Sequence, residues 1–403
     1  MARNAQPIST CTIAGPIAAG TVFMLILAAL VAVGAQAQWP VRFGVADWAA
    51  LRFTVWQSFL SALLSVLFSI PVARALARRR FAGRAVLVTL LGAPFILPVI
   101  VAVMGLLVVF GRAGWVSQGL ALFGLPPLSI YGLEGVVLAH VFFNMPLATR
   151  LILQGWQAIP AEQFRLAGQL GLPPAVVFRT LEWPVLRQVV PGAFALIFVI
   201  CLTSFAVALT LGGGPRATTI ELAIYQAFRF DFDLGRAALL SLVQLGVAGS
   251  AAVIALWVLP PITAHMGRDR TVQRWDAQST GMRLLDTFWI VLAATFLLVP
   301  LAAITASGLI GLGQMPVQVW HAAWTSLWVA TLCTVVLVAL ALPISIWLAQ
   351  ARWGGAEALT LIGLAASPLM IGTGWFIIIN PFASPVSLAL VVTALVNATM
   401  ALP

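Results

Sequence analysis

The chain has 403 residues, of which 62% are hydrophobic and only 8% charged, with a mean hydropathy of +1.06. A water-soluble domain carries about 25% charged residues to cover its surface, so solubility is excluded and the chain belongs in a membrane. The formal charge of +10 rests on arginine, since the sequence holds no lysine; these arginines sit in short segments between apolar runs and read as topology signals, with no nucleic-acid partner implied.

In lipid every backbone polar group must be satisfied within its own segment, which leaves helices or closed barrels. The apolar runs are long and unbroken, unlike the alternating strands of a barrel. The fold class is therefore an all-α integral membrane protein. About ten spans of roughly 20 residues each are predicted. The first five lie near 11–35, 53–75, 85–110, 132–156 and 188–212. The next five lie near 236–260, 284–311, 322–349, 357–379 and 384–403. Ala35-Gln36-Ala37 resembles a signal-peptidase site. The apolar stretch before it exceeds the roughly 7–15 residues of a signal core, so an uncleaved first span is expected.

A cytoplasmic N-terminus places 15 of the 21 basic residues in inside segments and 6 outside, with Arg78-Arg79-Arg80 as the main anchor. Within the spans, His140 and Asn144 share one helix face at i, i+4. They are compatible with a substrate path, and more so with hydrogen bonding to a neighbouring helix. Cys11, Cys201 and Cys333 are far apart and lack metal-ligand spacing, so they read as small apolar fillers. The sequence contains no paired intramembrane carboxylates, no Gly-x-Ser-x-Gly and, without lysine, no phosphate-binding Gly-x-x-x-x-Gly-Lys. No catalytic residue, metal or cofactor is expected, and energy for any transport has to come from a partner.

The most informative segment is 159–187, IPAEQFRLAGQLGLPPAVVFRTLEWPVLR. Pro160 suits a first helical turn, and Glu162 complements the helix dipole. Phe164, Ala167 and Leu170 follow at helical spacing, with Arg165 beside them. Gly168 and Gly171 allow a helix end, and Pro173-Pro174 permits a second helix, running to about Glu182. Pro184 then marks the start of span five. The turn Gly171-Leu172-Pro173-Pro174 presents an apolar apex rimmed by Arg165 and Arg179. Docking into a groove on another protein and an interfacial hairpin without a partner both remain open on these residues. Further on, Glu221 and Tyr225 lie one turn apart after Gly212-Gly213-Gly214, suited equally to a cationic aromatic ligand and to packing at an outer gate.

The segment 159–187 resembles the cytoplasmic coupling loop of bacterial ABC importer permeases, whose pattern runs Glu-Ala-Ala, three residues, Gly, then a hydrophobic-Leu-Pro about thirteen residues later. Gly171 and Pro184 have that spacing, while Arg165-Leu166-Ala167 occupies the triplet, so an arginine replaces its glutamate. Over most of the chain the resemblance is to the permeases for thiamine and its phosphates. It is carried by 211–226 (LGGGPRATTIELAIYQ), 56–65 (WQSFLSALLS) and 139–144 (AHVFFN). It implies a bacterial inner-membrane location, two copies of an ABC ATPase subunit inside, and a periplasmic thiamine-binding protein outside. It also implies a chain of two tandem permease repeats.

The repeat is visible in the residues themselves. Trp56-Gln57-Ser58 with Pro71 is echoed by Trp324-Thr325-Ser326 with Pro343, and His140–Pro146 by Asn397–Pro403. The expected domains are a first repeat at 1–264, a cytoplasmic linker at 265–283 and a second repeat at 284–403, incomplete by two spans and a coupling loop. The same architecture serves ferric-iron and polyamine permeases, and a truncated inactive form is a further reading. An intramembrane enzyme or a channel would need convergent ionisable groups or a symmetric polar filter, and the sequence displays neither.

Overall fold

The computed structural model describes residues 11–36, 43–212, 214, 217–258, 274, 278–350 and 367–402. Gly213, Pro215 and Arg216 of the glycine segment, most of the linker expected at 265–283, and the start of the ninth expected span at 357–366 lie outside the described residues.

Helices occupy nearly all of it. The first part of the chain forms α1 (Cys11–Gln36), α2 (Val45–Arg78), α3 (Arg84–Leu90), α4 (Ala93–Ile96), α5 (Val99–Phe110), α6 (Trp115–Ala121) and α7 (Leu133–Gln157). Then come α8 (Ala161–Gln169), α9 (Pro174–Val177), a π turn (Phe178–Glu182), α10 (Trp183–Leu202), α11 (Ala206–Leu211) and α12 (Ile220–Arg229). The remainder forms α13 (Leu234–Val258), α14 (Thr280–Gly311), α15 (Val317–Gln350), α16 (Pro368–Ile379) and α17 (Pro385–Met400). Among the described residues, 8 helical stretches are long and apolar enough to cross a membrane. They follow the first eight expected spans in order, and the shorter α16 and α17 stand at the ninth and tenth.

The third and fifth spans depart most from their expected bounds. The third was expected as one run over 85–110, but it is interrupted twice, and the long apolar stretch is Val99–Ala121. Leu97, the residue before Pro98, is extended at φ −76° and ψ 138°, because the proline ring disfavours helix at the preceding position. The fifth span begins at Pro174, ends at Leu202, and is followed by a break before α11.

The chain divides into two compact units. Residues 1–48, 220–253 and 313–403 make one; 49–219 and 254–312 make the other. In the first, α1 packs against α16 around Ile26, Ala29, Val33, Met370 and Ile371. A Cβ added to Gly374 would stand 2.4 Å from the Ala29 carbonyl oxygen, so the two backbones touch. Arg236 of α13 donates to Asp47 at 2.8 Å. The second unit is built on α7, whose Phe142, Ala148 and Ile152 are enclosed by α2, α5, α10 and α14. There Gly105 of α5 lies against Pro300 of α14, where an added Cβ would stand 2.6 Å from the Pro300 carbonyl oxygen. Apolar lipid gives helices no hydrophobic reason to associate, so close backbone approach at small residues carries this packing.

Gly105→Val should therefore cost about 1–3 kcal/mol by overpacking, seen as a lower melting temperature of the detergent-solubilised chain. Gly119→Val, where an added Cβ meets open space, should leave it nearly unchanged.

Candidate functional site

The segment 159–187 forms the helical hairpin that its sequence suggests. Helix α8 ends at a left-handed Gly171 (φ +62°). The Leu172 N–H donates to the Ala167 carbonyl at 3.1 Å and the Gly171 N–H to that of Gly168 at 3.1 Å. This is the paired-bond glycine cap of a helix C-terminus, and it satisfies two carbonyls that the helix leaves orphaned. Gly171 makes the turn; Gly168 lies inside α8 and serves as an acceptor.

One face of the hairpin is buried through Phe164, Ala167 and Val177. Leu170, expected on that face with Phe164 and Ala167, is instead exposed, because it is the cap residue of α8 where the helix has already begun to turn. Leu172 is half-buried against the core, while Gly171, Pro173 and Pro174 are exposed at the apex. Glu162 and Arg165 lie exposed on the outer side of α8.

The second arm was expected to stop near Glu182, with Pro184 separating it from span five. The structure instead runs Pro174–Leu202 as one helical stretch of 29 residues. Pro184 cannot donate a backbone bond, and its ring crowds the carbonyl four residues back. The helix widens there into the π turn 178–182, and the Trp183 N–H reaches the Phe178 carbonyl, five residues away. The hairpin's second arm is thus continuous with a span.

Behind the hairpin lies a charge cluster that the sequence alone did not reveal. Glu182, fully buried, accepts from Arg74 at 2.8 Å, faces Arg78 at 3.6 Å and is bonded by Arg274. Arg78 also stands 4.0 Å from Asp286, and Arg79 pairs with Asp286 at 2.7 Å. The guanidinium of Arg74 lies over the Phe178 ring at 4.8 Å, and that of Arg274 over the Phe164 ring at 4.4 Å. Arg74 and Arg78, four apart on one face of α2, were the available signal.

Further along α2, Thr54, Gln57, Ser58, Ser61, Ser65 and Ser69 form a fully buried polar stripe at helical spacing. The sequence singles out the paired residues facing it, His140 and Asn144, whereas the stripe's burial is a product of the packing around it. His140 bridges Ser61 at 3.2 Å and Ser204 at 2.8 Å. Asn144 donates to the His140 carbonyl at 2.9 Å and to Cys201 Sγ at 3.4 Å. Gln57 donates to the Cys201 carbonyl at 3.2 Å, and Ser69 to the Met145 carbonyl at 3.0 Å. Polar groups without water must find partners on adjacent helices, and this seam joins α2 to α7 and α10. His140 and Asn144 are brought together as interhelical hydrogen-bonding groups.

Glu221 and Tyr225, both on α12, have different surroundings. Glu221 is fully buried and accepts from Ser367 at 2.7 Å. α12 lies outside the eight spans, and there burial pushes this carboxyl up, to about 7, against the opposing hydrogen bonds of Ser367 and Gln244. Tyr225 is half-buried and meets Phe230 edge-on at 5.8 Å. Among the described residues, no group of three or more His, Cys, Asp or Glu could hold a metal ion.

No protein-family model matches the chain. It is 39% identical over 390 residues to the thiamine transport system permease protein ThiP of Brucella abortus (strain 2308), covering 94% of this chain and 72% of that one. Against the protein of the same description from Escherichia coli (strain K12), identity is 42% over 374 residues, covering 88% and 68%. A probable sulfate transport system permease protein of Helicosporidium sp. is 25% identical over 234 residues, covering 57% of this chain and 86% of that one.

Gly171→Val should strain the left-handed turn by about 1–2 kcal/mol. The Leu172 amide is then expected to exchange its hydrogen roughly tenfold faster, while Gly171→Asn, which tolerates that conformation, stays within about threefold of the original.

Proposed function

The chain belongs to the family of thiamine transport system permease proteins, and on that premise we propose that it carries thiamine and its phosphates across the bacterial inner membrane. It is a transporter subunit, not an enzyme. A periplasmic binding protein delivers the substrate from outside, and two copies of an ABC ATPase subunit drive the cycle from inside. The arginine asymmetry supports a cytoplasmic N-terminus, with the hairpin on the same side.

The observation that carries this reading is the hairpin. Its Phe164, Ala167 and Val177 are committed to the permease, while Pro173, Pro174 and Leu170 stay exposed at a glycine-capped apex. An exposed apolar knob with a rigid base suits a groove on a partner, and Glu162 and Arg165 lie where they can contact its rim. The continuous stretch Pro174–Leu202 turns displacement of that knob into movement of a span. The seam at His140 and Asn144 lies along the helices that such a movement shifts, and in this reading it borders the substrate path. Glu221 and Tyr225 belong to the outer gate in this scheme. The two-repeat organisation, 1–264 and 284–403 about the linker 265–283, is part of the same proposal.

The test is uptake of radiolabelled thiamine by proteoliposomes holding this chain, its ATPase and the binding protein. Thiamine should accumulate only with ATP, and ferric iron and putrescine, each with its own binding protein, should not. Gly171→Asp, or deletion of Leu172–Pro174, should reduce accumulation by about tenfold or more, equivalent to about 1.4 kcal/mol of lost coupling. Accumulation of iron or putrescine in place of thiamine would overturn the substrate assignment.

A further inference from the structure

We propose that Glu182 is a positioning residue, a buried ionic latch that fastens the hairpin to α2 so that a push on the hairpin is transmitted along that helix. The inference rests on reading the hairpin as the ATPase contact.

Glu182 is fully buried at the last position of the π turn, where the hairpin becomes the span. Two of its arginine partners each make a second contact with the hairpin, one on either arm. Arg274 covers Phe164 of α8, and Arg74 covers Phe178 of the π turn. One carboxylate thereby holds both arms, the C-terminal end of α2 and residue 274 in a single body. Around it, four guanidinium groups (Arg74, Arg78, Arg79 and Arg274) meet two carboxylates, Glu182 and Asp286. The local excess of positive charge makes the latch dependent on Glu182: without it, the buried Arg78 and Arg274 face one another, with the partly exposed Arg74 beside them.

α2 is suited to carry the displacement. From Arg74 to Gln57 it spans about 26 Å at 1.5 Å per residue. Over that length its polar stripe engages His140 through Ser61 and the Cys201 carbonyl through Gln57. A movement entering at Glu182 therefore reaches the seam through one unbroken helix. Pro71 lies inside α2 without ending it.

The experiment compares Glu182→Gln and Glu182→Asp in the assembled complex with ATPase and binding protein. Three readouts are taken: co-purification of the ATPase, stimulation of ATP hydrolysis by loaded binding protein, and thiamine uptake. The Gln variant should keep ATPase co-purification within about twofold, yet lose stimulation and uptake by about tenfold or more. The Asp variant, which restores the charge, should recover uptake to within about threefold. A fourth readout needs no substrate: hydrogen exchange of the amides of 161–182 in the detergent-solubilised chain should quicken about tenfold in the Gln variant. Unchanged uptake or unchanged exchange in Glu182→Gln overturns the latch. Loss of ATPase co-purification together with uptake also overturns it, reducing Glu182 to a structural role. If the unsubstituted complex takes up ferric iron or putrescine in place of thiamine while exchange responds as stated, the substrate assignment falls and the latch stands.

Discussion

Inside a bilayer no water is available to a polar group that lacks a partner, so each backbone amide and each polar side chain has to be answered by the protein itself. The backbone is answered by helix, and the interruptions of helix occur where special chemistry covers the loss. Gly171 supplies a left-handed cap, and the π turn carries the helix up to Pro184 through the Trp183 N–H, which reaches the Phe178 carbonyl. Ser367 caps α16 through the Leu369 and Met370 amides. Side chains follow the same rule: Thr149 returns its hydroxyl to the Met145 carbonyl, and His140 finds a hydroxyl on each side.

That rule gives α2 its two different halves. Towards Thr54 its buried face is neutral and hydrogen-bonding, made of hydroxyls and an amide small enough to let α7 and α10 approach. Towards Arg78 it is ionic. Burying a charge is costly unless it is paired and further hydrogen-bonded, and there each carboxylate is shared among several guanidinium groups. The arrangement concentrates ion pairs where the hairpin joins the membrane helices and neutral hydrogen bonds further along.

The hairpin combines these features. Its inner face is closed by aromatic rings lying under guanidinium groups, a contact strengthened by removal from water, and its apex stays apolar and exposed. The second arm enters the span without a break, so the outer surface and the membrane helix belong to one helical stretch.

The amino-acid sequence determined the membrane class, the order of the spans and the hairpin, because hydropathy, arginine placement and turn residues are local properties of a chain in lipid. Phe164 and Ala167 were legible as a buried face, and Gly171 as the turn. Other features were decided only by the tertiary structure. The sequence suggested a separate second arm before Pro184, but whether a proline breaks a helix or is absorbed by a π turn depends on how the turn before it is held, here with Glu182 buried among arginines. Glu182 was legible only as the last residue of a short helix, and Arg274 as one base in a linker. They lie 92 positions apart in the chain, and an ion pair over that separation exists only after folding has brought its partners together and excluded water from between them.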